Sequence, residues 1–577
     1  MKKKYYYIIG AVVLVAGGVL VYFLLRPNLK DQIVIPYIAH QKPAIDPHLP
    51  SSNQLSDKLD EVEFDGLFDV MATPSGVVYE DGLGELISID KNYVVTVRLK
   101  TNKLWHDSYA VTVDDDKVTI NKARDHFFSA SDLNFTLKRI QSLGSLSPDY
   151  ILVSQALKSF EFDGPNENGE IRFNFKEDRI WKDSDIKEVL SFKILPGNSE
   201  MNAVNYLVGS TPYMAVPQKT GVPNFHKTPD GGAFITNVKL APFIDNSTFT
   251  TELKNGSINT LLETPFGSLS PILSDTEKYF YKSNISTTFF AILFNTERLS
   301  LEQRKEVRRL INNKAVLQRF FKVNSPQQRQ ITDYKGNKNN YMDYINNSVF
   351  PSSSYYVEEK IVTPVHDDTA ANLSVLPPMV NIKVCENYGN REEYEELIDI
   401  LNEPSLSKQK IKVTAATNEE IKARDYDALL IAISGYRSNF LFDLYNIFMR
   451  EPDLETYRIN LVTAPDEKGS QAVSPITWQT RNNLFSLNAR TQSGDSSDVT
   501  ALLHDMYGFM ATHEIGDKQA YSERIDRLEN KMCLGVWLFS LPSLAYFSTQ
   551  LDSTSVHLYG VASQLSTIKK WKESAAR

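Results

Sequence analysis

Few side chains in this sequence have the type and spacing that catalysis or metal binding requires. Nine histidines are scattered along the chain, and we expect His106 and His126, the closest pair of interest, to be solvated or hydrogen-bonded loop residues. The run Asp114-Asp115-Asp116 lacks the alternating spacing and the distal glutamate of a calcium loop, so it predicts a solvated turn. The sequence contains no phosphate-binding loop, no His-Glu-x-x-His motif and no Gly-x-Ser-x-Gly elbow. We therefore predict no enzyme activity, no bound metal and no cofactor.

A polar segment that follows a strongly apolar stretch is the better candidate for ligand binding. It consists of Ser434, Gly435, Tyr436 and Arg437, with Asp443 as the next acidic residue. The unbroken apolar stretch 428–433 before it predicts a strand that is buried on both faces. Because ligands of parallel sheets bind beyond the carboxyl ends of the strands, we predict that these polar residues contribute to a ligand-binding site.

The elements that must position this segment alternate between strands and helices. Their predicted order is strand 381–385, helix 391–401, strand 410–415, helix 418–423 and strand 428–433. This order is typical of a parallel sheet with crossover helices. Earlier patterns predict strands at 33–38, 94–99, 171–175 and 287–294, a hairpin at 109–118, and helices at 56–70, 131–140 and 301–321. Residues 325–376 have little periodicity, and we expect a long surface excursion outside any core.

Composition limits the classes of protein to which the chain can belong. A chain of 577 residues is too long for one core, and 42% hydrophobic with 23% charged residues is typical of folded domains. The 71 acidic and 62 basic residues give a net charge of −9, which argues against nucleic acid as a partner. Cys385 and Cys533 can form one disulfide at most, and we expect two separate buried thiols.

The N-terminus predicts a membrane anchor. Three lysines, Lys2 to Lys4, precede 21 uncharged residues, 5–25, which as a helix can span the bilayer core of about 30 Å. Bulky residues and Arg26 end this run, whereas a signal peptide is usually shorter and ends in small residues. We predict a single-pass helix with the lysines in the cytoplasm and the bulk of the chain in the periplasm or outside the cell. Cleavage near residues 16–18 is the alternative.

Several segments match, in order, the motifs of one protein family. The most specific are Trp105-His106-Asp107 and the helix segment 128–139, and the others are 45–49, 64–68, 92–99, 208–213, 293–296, 306–311 and 426–430. Together they resemble the family 5 extracytoplasmic solute-binding proteins of ABC transporters, the peptide and oligopeptide-binding type, over residues 31–575. We expect Trp105 and Asp132 to be structural residues and not ligand contacts.

The resemblance implies an α/β fold of the type II periplasmic-binding-protein class, with two lobes and an extra inserted lobe, preceded by one transmembrane helix. The implied boundaries are 1–27 for the anchor, 28–60, 190–284 and 530–577 for lobe I, 61–189 for the inserted small lobe and 285–529 for lobe II. The implied function is that of a monomeric, membrane-anchored protein that encloses a small solute, first of all a peptide, by hinge closure and delivers it to the permease subunits. A sensor or chaperone-like binding protein with the same fold is the alternative.

The sequence departs from the family pattern at the predicted site. Many peptide-binding members have an aspartate that pairs with the amino terminus of the ligand, but here the alignment places Arg437, and no acid follows until Asp443. An arginine repels an ammonium group and favours a carboxylate or a phosphate. A surface arginine without a ligand is the alternative reading of Arg437. Two family glycines around Ser210 are also replaced, so we expect a divergent member.

Overall fold

The computed structural model describes most of the chain between residues 31 and 575. The described residues are 31–39, 42–49, 54–73, 76–114, 117–144, 147–178, 180–244, 248–262, 278–320, 331–332, 338–339, 344–346, 348–350, 369–385, 391–416, 420, 425–433, 444, 496–512, 515–557 and 565–575. Their buried apolar side chains form three clusters.

The described strands and helices follow in chain order. The strands are β1 (Gln32–Ile38), β2 (Phe68–Thr73), β3 (Gly76–Asp81), β4 (Gly84–Ile89), β5 (Val94–Leu99), β6 (Tyr109–Asp114), β7 (Lys117–Lys122), β8 (Glu170–Asn174), β9 (Tyr213–Val216), β10 (Asn224–Lys227), β11 (Asn237–Phe243), β12 (Thr260–Leu261), β13 (Tyr279–Phe294), β14 (Ile331–Thr332), β15 (Lys338–Asn339), β16 (Val380–Cys385), β17 (Ile411–Ala416), β18 (Ala428–Ile433) and β19 (Gly535–Ser548). The α-helices are α1 (Gln54–Glu63), α2 (Ala130–Leu143), α3 (Pro148–Ala156), α4 (Asp183–Val189), α5 (Phe249–Asn255), α6 (Leu301–Leu310), α7 (Asn313–Phe320), α8 (Arg391–Asn402), α9 (Pro404–Ser407), α10 (Ser496–Ala511) and α11 (Ile515–Met532).

The first apolar cluster surrounds a four-stranded sheet, which we call the first sheet, in the order β1-β11-β10-β9. β1 pairs in parallel with β11, while β10 is antiparallel to both of its neighbours. Ile33 and Ile35 of β1 alternate into this cluster, as the apolar pattern of 33–38 predicts. Trp571, close to the C-terminus, packs in the same cluster.

A six-stranded sheet, the second sheet, lies in the second cluster in the order β12-β19-β13-β18-β16-β17. β16 is parallel to both β17 and β18, which confirms the parallel arrangement predicted for 381–433. β13 and β19 are antiparallel and unusually long, with 16 and 14 residues. Phe280 and Phe547 of these strands pack at the first cluster, whereas their neighbours Tyr281 and Tyr546, on the opposite face, and Phe290 further along pack in the second. The two strands therefore contribute to both clusters.

The third cluster forms the core of what we call the inserted region, residues 66–194. Its apolar side chains come from the sheet β4-β5-β8 and from helices α2, α3 and α4. Leu133, Leu137 and Ile140 recur at helical spacing on α2 and fill this core. At the start of α2, the Asp132 carboxylate accepts a hydrogen bond from the Ser129 backbone N–H (2.8 Å), which confirms its structural role. The pairs of β6 and β7 form the predicted hairpin.

Two predicted helices are shorter in the structure. The predicted helix 301–321 is divided into α6 and α7, because the backbone at Ile311 is extended, with φ of −88° and ψ of 93°. The predicted helix 56–70 ends at Glu63, since the residues that follow enter β2. In both segments the apolar spacing continues past the end of the helix, so periodicity alone could not place the boundary.

The expectation that residues 325–376 lie outside any core is wrong for Leu376 and for one short piece, which reach the second cluster. Tyr344, Val349 and Phe350 are buried in the second cluster. Asn346 fixes this piece to the second sheet, because its side-chain oxygen accepts a hydrogen bond from the Ser540 hydroxyl at 3.0 Å. This hydrogen bond therefore helps to hold a buried segment whose apolar residues have no periodic spacing.

The predicted anchor, residues 1–27, lies outside the described residues. Among the helices that the structure does describe, none combines the length and the apolar character needed to cross a bilayer. The anchor and the lobe boundaries therefore stay predictions.

Candidate functional site

The predicted ligand-binding residues Ser434, Gly435, Tyr436, Arg437 and Asp443 lie outside the described residues. The structure describes β18, the strand that leads to them, and all six of its residues are buried, as predicted. The position of the site is therefore argued from this strand and its neighbours.

β18 brings the chain to one edge of the second sheet. The parallel strands β16, β17 and β18 end there at Cys385, Ala416 and Ile433, and we call this the site edge. Ile433 pairs with Phe289 of β13, and Phe289 pairs with Ser540 of β19. β18 therefore ends beside β13 and β19. Ligands of open parallel sheets bind at this kind of edge.

Hydrogen bonds fix β18 at its other end. The Asp427 carboxylate accepts a hydrogen bond from the Asn381 backbone N–H at 2.8 Å and lies 3.2 Å from Nε of Arg298. The Asn295 N–H donates to the Asp427 carbonyl at 2.9 Å. Near the site edge, the Ala432 N–H donates to the Tyr394 hydroxyl at 2.5 Å. β18 is thus a rigid support for the residues that follow it.

Two aromatic side chains of β19 carry buried donors that have no hydrogen-bond partner among the described residues. They are Trp537 Nε1–H and the Tyr546 hydroxyl, on side chains that are 2% and 1% exposed. Along β19 they lie on either side of Ser540. The centre of the Trp537 ring lies 6.2 Å from that of Phe289, and the centre of the Tyr546 ring lies 5.9 Å from that of Tyr281. A buried donor without a partner costs about 1–3 kcal/mol.

The Tyr546 hydroxyl stays protonated at neutral pH. Burial raises its pKa, and the neighbouring Tyr281 raises it further. Both orphan groups of β19 can therefore donate a hydrogen bond but cannot accept a proton, which suits binding and not acid–base chemistry.

His106 and His126 are both hydrogen-bonded, and His106 is buried instead of solvated. His106 Nε2 lies 2.8 Å from the Thr211 carbonyl, to which it donates, and Nδ1 lies 3.0 Å from Glu63 Oε1. Burial raises the pKa of Glu63, although His106 counteracts this. His126 Nδ1 lies 2.7 Å from Asp107. The His106–Glu63 pair is buried, so a solute cannot reach it. The pair joins the inserted region to α1 and β9.

Arg139 is a buried cation that the motif analysis did not single out. Its guanidinium donates to the Asp46 carboxylate at 2.7 Å and lies 2.7 Å from His48 Nδ1, and its plane covers the Tyr206 ring. Trp105 is equally buried, and its Nε1–H donates to Asp132 at 3.2 Å. The residues of the family-like motifs are therefore occupied with each other, as expected for structural positions.

The structure adds no metal centre in the part of the chain that it describes. No group of three or more histidine, cysteine, aspartate or glutamate side chains there could hold an ion. Cys533 is a free, buried thiol, as expected, and burial raises its pKa to about 11. The side chain of Cys385 lies outside the description.

Sequence reasoning missed most of the two connecting strands. It predicted a strand at 287–294 but not the first half of β13, where Lys282, Ser283 and Asn284 interrupt the apolar pattern. It also missed β19, which contains Pro542. The consecutive aromatic residues at 279–281 and 546–547 were the available signal, because aromatic residues are enriched in strands and these follow no helical period.

Solved structures with this fold are binding proteins. NikZ from Campylobacter jejuni in complex with Ni(L-His) has a TM-score of 0.58 and 16% identity, and the match covers 94% of this chain and 100% of that chain. The oligopeptide-binding protein AppA from Bacillus subtilis in complex with a nonapeptide has a TM-score of 0.61 and 14% identity, with 94% and 99% covered. The ABC transporter-associated periplasmic binding protein DppA from Helicobacter pylori in complex with peptide STSA has a TM-score of 0.61 and 12% identity, with 94% and 98% covered.

These identities establish the fold alone. No family model and no curated protein matches the sequence. The chain has the mixed α/β fold of these peptide-binding and nickel-complex-binding proteins over almost its whole length. The resemblance predicted from the motifs is thus confirmed at the level of the fold.

Proposed function

We propose that the chain is the extracytoplasmic solute-binding protein of an ABC importer, with a type II two-lobe fold and an inserted small lobe. The proposed lobes are 28–60, 190–284 and 530–577 for lobe I, 285–529 for lobe II and 61–189 for the inserted lobe. The observation that carries the proposal is the pair β13 and β19, which contributes side chains to both clusters, within a fold shared with solute-binding proteins.

An irregularity in these strands supports a hinge between the lobes. The register of β13 with β19 shifts between Ile285 and Phe289, and again between Phe290 and Ala291. A bulge bends a strand and weakens its pairing locally, so bending is easiest at this point. Closure about this hinge brings the first sheet towards the site edge, and a solute held there is enclosed.

The proposed ligand is a small solute with a carboxylate, and a peptide is the first candidate. Arg437 would bind the carboxylate, because a guanidinium and a carboxylate form two parallel hydrogen bonds. Backbone groups of 434–436 add further hydrogen bonds. The chain alters no bond of the solute, since the ionisable groups described above are paired or buried away from the site edge.

Mass spectrometry of the co-purified ligand tests the proposal. The full chain is purified in detergent from its native host, and the molecules released on denaturation are identified. We expect a solute that is present at about one equivalent and returns unaltered after rebinding. Conversion of the solute by the purified protein would overturn the proposal, and so would the absence of any bound or bindable solute.

Titration calorimetry of Arg437→Ala tests the ligand chemistry. We expect the affinity for peptides with a free carboxylate to fall at least about tenfold, since a hydrogen bond to a charged group contributes about 1.5–3 kcal/mol. Arg527→Ala, at an exposed arginine of α11, is the matched control and leaves the affinity unchanged. Tight binding of unblocked peptides that is indifferent to Arg437→Ala would remove Arg437 from the site.

The anchor of residues 1–27 keeps the binding protein close to the permease and raises its local concentration there. Protease treatment of spheroplasts tests this topology. We expect the described part of the chain to be digested while the cytoplasm stays intact. Protection of the C-terminal residues would contradict the anchor's orientation.

A further inference from the structure

Helix α3 of the inserted region packs on two apolar clusters. Val153 and Ala156 belong to the third cluster, whereas Ile151 belongs to the second cluster together with Met506 and Phe509 of α10. Ile151 and Val153 are two positions apart and therefore point to opposite sides of the helix. α3 and α10 are in direct contact. One side of α3 thus packs on the core of the inserted region, and the other side packs on α10.

A side-chain hydrogen bond crosses this contact. The hydroxyl oxygens of Ser154 on α3 and Tyr507 on α10 lie 2.8 Å apart. The Ser154 hydroxyl also donates to the Ile151 carbonyl at 3.2 Å, so the Tyr507 hydroxyl is the donor of the pair. Next to Tyr507, Gly508 allows α11 to approach closely, because a Cβ there would lie 2.5 Å from the Tyr521 ring.

A buried amine lies beside the same contact. The Nζ of Lys518 on α11 donates to the Phe509 carbonyl at 3.3 Å and lies 5.0 Å from the centre of the Phe509 ring. Burial lowers the pKa of Lys518 to about 8, and the charge of Glu188 partly offsets this. Glu188 belongs to α4 of the inserted region, so this attraction also acts between the inserted region and the helices α10 and α11.

We propose that α3 and α10 form a clasp that holds the inserted region against the second sheet and stabilises the closed molecule before any ligand binds. The proposal rests on the proposed function, which supplies the open and closed states. The contacts named above between α3 and α10 are made by side chains, so opening breaks them together and leaves β13 and β19 intact. A closed state that is already populated raises the apparent affinity for the solute, because less of the binding energy is used for closure.

Distance measurement in the ligand-free full chain tests the clasp. Spin labels are attached through a ketone-bearing amino acid at Glu167 and Lys314, which are exposed on the inserted region and on α7, so the native cysteines stay unmodified. Pulsed electron paramagnetic resonance then gives the populations of short and long distances. The variants are Tyr507→Phe and Ser154→Ala, and the control is Tyr150→Phe, whose ring stacks on Phe160 inside the inserted region.

We expect each of the two variants to lower the ratio of short to long distances about fivefold, as loss of one hydrogen bond predicts, and the control to leave the ratio unchanged. Both variants remove only a few atoms, and circular dichroism confirms their fold. Identical distributions in the parent protein and both variants would overturn the clasp. The distance measurement uses no ligand, so its result is independent of the binding tests. If the variants change the distances but no solute binds, only the proposed function is contradicted. A protein that binds a solute but ignores the variants contradicts the clasp alone.

Discussion

Two of the connections between the second sheet and the rest of the molecule differ in kind. β13 and β19 are continuous backbone, paired by interstrand hydrogen bonds on both sides of a register shift. The α3–α10 clasp consists of the side chains of Ile151, Ser154 and Tyr507. The strands can bend but cannot separate, whereas the clasp can open completely. We infer that the strands determine which regions move relative to each other, and that the clasp determines how often they part.

The largest predicted effect is at the strand connection. Phe290→Ala removes a fully buried ring that packs against Phe320, Tyr394 and Phe539, so we expect the free energy of unfolding to fall by about 3–5 kcal/mol. Ile151→Ala in the clasp should cost less, since the clasp contributes to one interface only. Urea unfolding followed by circular dichroism measures both.

A matched control separates burial from side-chain size in this comparison. Ile244 is 84% exposed, so Ile244→Ala should change the free energy of unfolding by less than about 0.5 kcal/mol. If Phe290→Ala costs no more than Ile151→Ala, the strands are not the dominant connection.

The free energy of unfolding should respond to alkaline pH with a defined sign. The unfolded chain keeps the Lys518 proton up to pH 10.5, whereas the folded protein releases it at about pH 8. Because the unfolded state binds more protons in this window, the free energy of unfolding rises with pH there, by at most about 3 kcal/mol. Unfolding by urea at several pH values measures this rise. Lys518→Met should remove that part of the pH dependence, and equal slopes in parent and variant would contradict the assignment.

The third prediction concerns the ion pairs that join Lys569, near the C-terminus of the chain, to Asp65 and to Asp69 of the inserted region. Lys569 Nζ lies 2.6 Å from Asp65 and 2.7 Å from Asp69. Burial alone would raise the pKa of Asp65, but Lys569 and Lys103 lower it below 3.8. We expect Lys569→Met to cost about 2 kcal/mol at neutral pH, because it leaves two carboxylates near each other without their cation.

The acid side of the same pair gives the sign of its pH dependence. Since the pKa of Asp65 is lowered on folding, its contribution to stability is present above pH 3.8 and is lost as the pH falls below that value. The cost of Lys569→Met should shrink accordingly in acid. Lys570→Met is the matched control, because Lys570 pairs with Glu80 at an exposed position and contributes little. Equal costs for the two variants would refute the special role of Lys569.

Prediction from the sequence was most accurate for elements whose residues follow a single clear pattern. β5 and β18 have the predicted bounds, because unbroken or alternating β-branched residues with clear turn residues leave one interpretation. The parallel pairing of β16, β17 and β18 followed from the strand–helix alternation. The structural roles of Trp105 and Asp132 were also predicted, although α2 begins at Ala130, with Ser129 as its cap, one residue before the predicted start.

Prediction failed where distant parts of the chain share one element. The first half of β13 is stabilised by β19, more than 250 residues away along the chain, and a polar stretch such as 282–284 gives no local sign of this. The α3–α10 clasp was equally invisible, since Ser154 and Tyr507 have unremarkable neighbours and are 353 residues apart. The predicted site residues 434–437 and 443 remain a prediction, because the structure describes only the strand that leads to them.

The central claim is that the first and second sheets close on a solute about β13 and β19. Spin labels at the exposed Lys219, in the first-sheet region, and Lys314, on α7, report this motion in the full chain. The distance should have a long and a short population without ligand, and a mixture of short peptides or the filtered small-molecule extract of the host should shift it to the short one. A single distance that no solute changes would contradict the account.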